Sequence, residues 1–140
     1  MPVPSEPIRF ARAGCIQRPN DDVRKPRGST KMAWRGRLGI VIGSRASYVE
    51  KDEALDHVAG YVLCDDLSER YFQLERGGTW DKGKSCDTFG AVGPWLVTKD
   101  EVGDVQDLSM WLDVNGKQMQ TGNTKTMIFD CATLVSYISQ

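Results

Sequence analysis

Apolar and polar positions change character near residue 34. Before it, prolines at positions 2, 4, 7, 19 and 26 interrupt every candidate helix, and Asn20-Asp21-Asp22 is turn chemistry. Residues 1–30 therefore read as an irregular N-terminal arm, and ordered structure is expected from 31 to 140. Leu38-Gly39-Ile40-Val41-Ile42-Gly43 is a short apolar run closed by glycine, the pattern of a buried strand. Glu50 to Gly60 predicts a helix, with acidic residues at its N-terminal end, Ala54, Leu55, Val58 and Ala59 facing inward, and Gly60 as its stop. Tyr61-Val62-Leu63-Cys64 then predicts a strand running into Asp65-Asp66. A short helix is expected from Ser68 to Arg76, halted by Gly77-Gly78.

The stretch from Trp80 to Pro94 carries three glycines and a proline and reads mostly as loop, before a strand at Trp95–Thr98. Leu108, Met110, Leu112 and Val114 alternate with polar or edge positions, and Asn115-Gly116 supplies a two-residue hairpin turn ahead of Lys117–Gln120. The chain ends in an amphipathic helix, Phe129 to Ile138, with Leu134, Val135 and Ile138 on one side. Strands and helices mixed in this way, with a hairpin in the second half, argue an α+β domain dominated by sheet.

Length permits one core: 140 residues bury roughly 70% of their unfolded surface. Eighteen basic and nineteen acidic residues leave a charge of −1, so no global basic field exists for nucleic acid or an anionic membrane. No apolar run approaches a membrane span, and the Pro-rich start lacks a secretory apolar region, which makes the cytoplasm the default compartment. Cys15, Cys64, Cys86 and Cys131 are widely spaced with no CxxC pair, and His57 is the sole histidine. Zinc spacing is absent, so four free thiols are expected.

Gly78-Thr79-Trp80-Asp81-Lys82-Gly83-Lys84-Ser85 matches the phosphate-loop pattern letter for letter. That loop needs a strand before it and a helix after it. Here a charged, helix-like stretch precedes it and a Gly/Pro-rich stretch follows, so nucleotide binding is rejected. Asp66, Arg70 and Gln73 stand at i, i+4 and i+7 and share one face if the short helix reaches back to Asp66. On that face Asp66 could ligate a hard cation, Arg70 clamp a carboxylate and Gln73 bond a carbonyl; the plainer reading is an exposed ion pair and a solvated amide. Arg35 and Arg37, at i and i+2, place two guanidiniums on one side of a strand and need an anion or open solvent. His57 reads as a surface or half-buried structural residue, and the four scattered tryptophans as core anchors.

These motifs, in order, resemble the fumarylacetoacetate hydrolase family. The residues that carry the resemblance are Leu38–Gly43, Ala54–Tyr61, Asp66-Leu67-Ser68-Glu69-Arg70, Trp80–Phe89, Gly93–Thr98, Val114-Asn115-Gly116 with Gln120, and Met127-Ile128-Phe129. The agreement runs from Ile8 to Gln140 and is nearest the bacterial branch often labelled ureidoglycolate lyase or diketo-deoxy-sugar-acid hydrolase. It implies a mixed, mostly β fold and a homodimer. It also implies a Mg²⁺- or Mn²⁺-dependent hydrolase or lyase that breaks a C–C bond in a small 2-oxo or β-diketo acid.

By the resemblance, Asp66 is the metal aspartate, Arg70 and Gln73 contact substrate, and Lys84 is the catalytic, oxyanion-stabilising lysine. The family's two metal glutamates fall at Arg35 and Arg37, which changes a site charge of about −3 to about +1 and removes their lone pairs. Metal binding is therefore expected to be weak or absent. The resemblance further implies a domain incomplete at both ends, lacking the His-Glu lid and the final strands, with unpaired edges that favour self-association. Impaired chemistry is the expectation, with a degenerate remnant or a metal-free carboxylate-binding module as the alternatives.

Overall fold

The computed structural model describes residues 3–12 and 14–140. Among these residues eight strands and three short helices follow in order: β1 (Ile16–Gln17), β2 (Met32–Ala33), β3 (Gly36–Ile42), β4 (Val58–Asp66), β5 (Ser68–Glu69), α1 (Arg70–Glu75), α2 (Asp81–Lys84), β6 (Gly90–Thr98), β7 (Ser109–Val114), β8 (Lys117–Asn123) and α3 (Cys131–Ser139). The fold is mixed and mostly strand. One sheet has the order β1-β6-β4-β3, with β1 parallel to β6, while β2 pairs with β5 and β7 with β8 in two antiparallel ribbons.

The chain forms two compact units, and the division falls inside β3, β4 and β6. One comprises Met1–Ile8, Gly39–Val62 and Leu96–Gln140. Its core is Val49, Ala54, Val58, Tyr61, Val105, Cys131 and Val135. The loop at residues 48–49 is fastened to the end of α3: the amides of Tyr48 and Val49 donate to the carbonyl and hydroxyl of Ser139 at 2.8 and 2.9 Å. The β7–β8 hairpin turns at Asn115-Gly116 with φ of 53° and 76°, the two positive values that a two-residue turn demands.

The second unit comprises Arg9–Leu38 and Leu63–Trp95. Its core holds Cys15, Leu67, Phe72 and Phe89, and with them the buried polar side chains Ser29, Ser68, Glu69, Gln73 and Lys84. Glu69 satisfies its buried carboxylate with the Ser29 hydroxyl and the amides of Lys31 and Tyr71 at 3.0 Å, and so caps α1 while holding the 29–31 segment.

Several expectations are corrected here. Residues 50–60 are not a helix. A single 3-10 turn at Ala54–His57 gives way to β4, and Gly60 lies inside the strand, where an added Cβ would strike the Val97 carbonyl of β6. Close strand-to-strand approach, not helix termination, requires that glycine. The helix expected from Ser68 starts two residues later, because Ser68 and Glu69 pair with Ala33 and Met32. The Trp80–Pro94 loop contains α2 and the start of β6. The strand at 38–43, the hairpin, the C-terminal helix and the glycine stop at 77–78 stand, with bounds moved by a few residues. All four cysteines are free thiols, though only Cys15 and Cys131 are buried. His57 is half-buried, its Nδ1 3.0 Å from the Ser44 hydroxyl.

Candidate functional site

β4 ends by delivering Asp66 into a cluster of cations. Its amide donates to the Arg35 carbonyl at 2.8 Å, which fixes the strand end and aims the carboxylate. Lys84 Nζ donates to both carboxylate oxygens, at 2.8 and 2.7 Å, and Arg12 Nη2 donates to Oδ1. Arg37 Nε stands 3.5 Å from Oδ2. Arg12 is fixed in turn by the carbonyls of Phe89 and Leu67, at 2.7 and 2.8 Å.

Lys84 reaches this position because α2 is a single turn laid directly on β5 and α1. The Gly83 position permits it: an added Cβ would meet the Glu69 carbonyl and lie 2.7 Å from the Gln73 amide nitrogen. The Lys84 side chain is 3% exposed. Phe10 borders the site, its ring centre 5.0 Å from Lys84 Nζ and 5.8 Å from the Arg12 guanidinium, and it packs against Trp80.

The electrostatics follow from cation excess. Burial alone would raise the Asp66 carboxyl. The Lys84 hydrogen bonds and the charges of Arg12, Lys84 and Arg37 outweigh it and hold the group below its ordinary range. Burial lowers Lys84, and Arg70 and Arg12 lower it further, against the pull of Asp66. Positive surroundings depress acid and base alike. Arg70 is lowered by burial and then by the nearby Arg35, with Arg37 adding to it. Asp65 behaves oppositely: burial raises its carboxyl, although the Arg35 amide donates to it at 3.1 Å. Five cations, Arg12, Arg35, Arg37, Arg70 and Lys84, thus act on one another and on two carboxylates, Asp65 and Asp66, a local balance of +3 (five minus two) among these groups.

Asp66, Lys84 and Arg37 thus come together. The helical face proposed for Asp66, Arg70 and Gln73 does not exist, because Asp66 is on a strand and the other two are on α1. Arg70 Nη1 donates to Gln73 Oε1 at 2.7 Å, and Gln73 is wholly buried with its Nε2 unpartnered among the described residues. The plainer alternative, a solvated amide, is wrong for the same reason. The phosphate-loop match fails structurally too: α1 precedes it, and residues 85–89 after it are not helical. Sequence reasoning missed Arg12 altogether. It lies in the irregular arm, and only its place two residues after Phe10 hints at a role.

A divalent ion does not fit these side chains. Among the described residues no three His, Cys, Asp or Glu groups are placed to hold a metal, and the carboxylate of Asp66 is occupied by cations. No helix among them is long and apolar enough to cross a membrane.

A family model described as "Fumarylacetoacetate (FAA) hydrolase C-terminal" matches residues 1–140. The chain is 57% identical over 141 residues to a 2,4-didehydro-3-deoxy-L-rhamnonate hydrolase from Sphingomonas sp. (strain SKA58), covering all of this chain and 50% of that protein. Among solved structures it resembles a 5-carboxymethyl-2-hydroxymuconate delta-isomerase from Mycobacterium smegmatis, with a TM-score of 0.91 and 31% identity over 98% of this chain and 53% of that one. It also resembles a 2-hydroxyhepta-2,4-diene-1,7-dioate isomerase from Mycobacterium marinum, with a TM-score of 0.84 and 36% identity over 90% and 48%. The chain spans about half the length of the curated relatives it matches.

Proposed function

The chain belongs to the fumarylacetoacetate hydrolase family, and from that premise we propose that it binds a small 2-oxo or β-diketo acid, with dicarboxylates favoured, on side-chain cations, its metal-dependent C–C chemistry being impaired. The observation that carries this reading is the pairing of Asp66 with Lys84, Arg12 and Arg37, which commits the proposed metal aspartate to ammonium and guanidinium partners. The similarity to a 2,4-didehydro-3-deoxy-L-rhamnonate hydrolase and to a 2-hydroxyhepta-2,4-diene-1,7-dioate isomerase supports an organic acid as the ligand class.

In this reading Arg35, Arg37 and Arg70 present planar forks to the carboxylates. Lys84 donates to the oxo or enolate oxygen, and its lowered pKa makes it a readier proton donor than an ordinary lysine. Asp66 and Arg12 orient that ammonium. Gln73, through Arg70, sets the direction of the guanidinium and keeps an amide donor for a carbonyl. The family generally uses a divalent metal, whose role is to stabilise an enolate; Asp66 with Arg35 and Arg37 in place of carboxylates does not suit it, so Mg²⁺ or Mn²⁺ is expected to bind only weakly. The association of two copies, the family arrangement implied by the resemblance, is part of the same proposal.

Isothermal titration tests it. Mg²⁺ and Mn²⁺ are expected to bind no tighter than about millimolar, and the double change Arg35→Glu and Arg37→Glu should tighten them. Maleate should bind the unaltered chain, and Lys84→Ala should weaken it at least about tenfold, the loss of one charge-assisted bond. Hydrolysis of acetopyruvate by this chain should stay at background. Micromolar Mg²⁺ affinity, or turnover abolished by Asp66→Ala, would return the chain to the metal-dependent enzymes.

A further inference from the structure

The net charge of −1 is a cancellation. The unit holding the Asp66–Lys84 site carries thirteen Lys/Arg against eight Asp/Glu, a balance of +5, and the other unit carries five against eleven, a balance of −6. Most of the excess lies in one segment: Arg9–Leu38 has nine basic residues and two acidic ones. Its densest part is Arg24-Lys25-Pro26-Arg27. All three cations are exposed, and none takes part in the ion pairs among the described residues. Three adjacent like charges without partners do nothing for the fold and repel one another.

The run is nevertheless fastened, and at both ends it is fastened beside the site. The Arg24 amide donates to Thr88 Oγ1 at 2.8 Å, and the next residue, Phe89, gives its carbonyl to Arg12 at 2.7 Å. At the other end the Ser29 amide closes a turn on the Pro26 carbonyl at 3.1 Å, and its hydroxyl bonds Glu69, the neighbour of Arg70. Gly28, at φ 76°, lets the chain reverse there. Only backbone atoms of the run are tethered, to segments that adjoin Arg70 and the Phe89 partner of Arg12, and its charged side chains are exposed. Charges so placed act on an approaching ion over about one Debye length, ~10 Å at 0.1 M salt and ~30 Å at 0.01 M.

We propose that Arg24, Lys25 and Arg27 form an electrostatic steering arm that speeds the arrival of dianions at the Asp66–Lys84 site without touching the bound ligand. The inference rests on the proposed binding of a small dicarboxylate there. Attraction over this range scales with ligand charge, so the arm favours dicarboxylates over monocarboxylates in the rate of association and leaves departure unchanged.

Stopped-flow mixing, followed by tryptophan fluorescence, to which Trp80 contributes from its packing on Phe10 at the site, separates the two rates. The probes are maleate, a dianion, and crotonate, a monoanion. The triple change Arg24→Gln, Lys25→Gln and Arg27→Gln should slow maleate association about fivefold at ~0.01 M salt and leave it unchanged at ~1 M. Crotonate should slow about twofold, and dissociation of either should not move. In the unaltered chain, association of maleate should fall with added salt twice as steeply, on a logarithmic scale, as that of crotonate. That second measurement decides the matter if the triple variant does not fold. Maleate that fails to bind the unaltered chain overturns the proposed function and this inference together. Binding with association unaffected by the changes, equal salt slopes for the two probes, or faster dissociation from the variant overturns the steering arm alone.

Discussion

Asp66 shows how little a residue type says without its neighbours. The same carboxylate is a metal ligand among glutamates and a counter-ion among guanidiniums, and here Lys84, Arg12 and Arg37 decide. Because both Asp66 and Lys84 are withdrawn from water, removing one charge strands the other. Asp66→Asn should therefore cost about 3 kcal/mol in denaturant unfolding at neutral pH. The pH dependence has a definite sign. The Asp66 carboxyl is held below its unfolded value, so its contribution is complete above about pH 4 and is lost as pH falls through the folded value. The gap between the parent and Asp66→Asn should accordingly narrow in acid. Lys84, also lowered, acts in the other direction: its cost to folding is full at low pH and relieved as pH rises through its folded value towards that of ordinary lysine.

Short elements here depend on particular local devices. α3 begins at Asp130, whose carboxylate accepts from the Thr133 amide at 2.7 Å and meets Lys51 at 2.7 Å. Lys51 and Thr133 hold that carboxyl at about 2. Asp130→Ala should remove about 1 kcal/mol in thermal or denaturant unfolding, a typical N-cap loss. In the parent this contribution should fade as pH falls from about 4 towards 2. α2 depends on a missing side chain. Gly83→Ala would press a methyl group on Glu69 and Gln73, lowering stability by about 1–3 kcal/mol and drawing Lys84 off Asp66. A maleate titration should then show weakened binding alongside the lowered midpoint; an unaltered affinity would mean that α2 tolerates the shift.

Whole-chain properties mislead when they are averages. A charge of −1 joins a unit of +5 to a unit of −6. Apolar exposure is likewise uneven: in the Gly39–Val62 and Leu96–Gln140 unit, Leu96, Trp111, Ile128 and Ile138 are each more than half exposed. Trp111 stands on the outward face of a two-stranded ribbon, an arrangement that needs a further layer for stability. We expect the chain to self-associate, seen as a concentration-dependent rise in sedimentation coefficient. A clean monomer with a sharp melt and no binding of a hydrophobic dye would refute this.

Local chemistry made part of this molecule legible in advance. Asn115-Gly116 encodes its hairpin because two successive positive φ angles select those residue types, and the run at 38–43 encodes a strand because its apolar positions are contiguous and bounded by glycine. Motif order carried the family, and with it Asp66, Arg70, Gln73 and Lys84 as residues to examine. Residues 50–60 misled because an acidic start and a glycine end also suit a 3-10 turn entering a strand, and only the approach of β6 to Gly60 distinguishes them. Arg12 stayed invisible for a related reason. Its partner lies 54 residues away, and no pattern of residue types within the arm specifies a hydrogen bond made across the fold. Residue types and local spacing determined the turns, several element types, the family and the excess of cations expected around Asp66; burial and long-range contacts, which exist only once the chain has closed, decided that Arg12 joins them and that Gln73 is withdrawn from water.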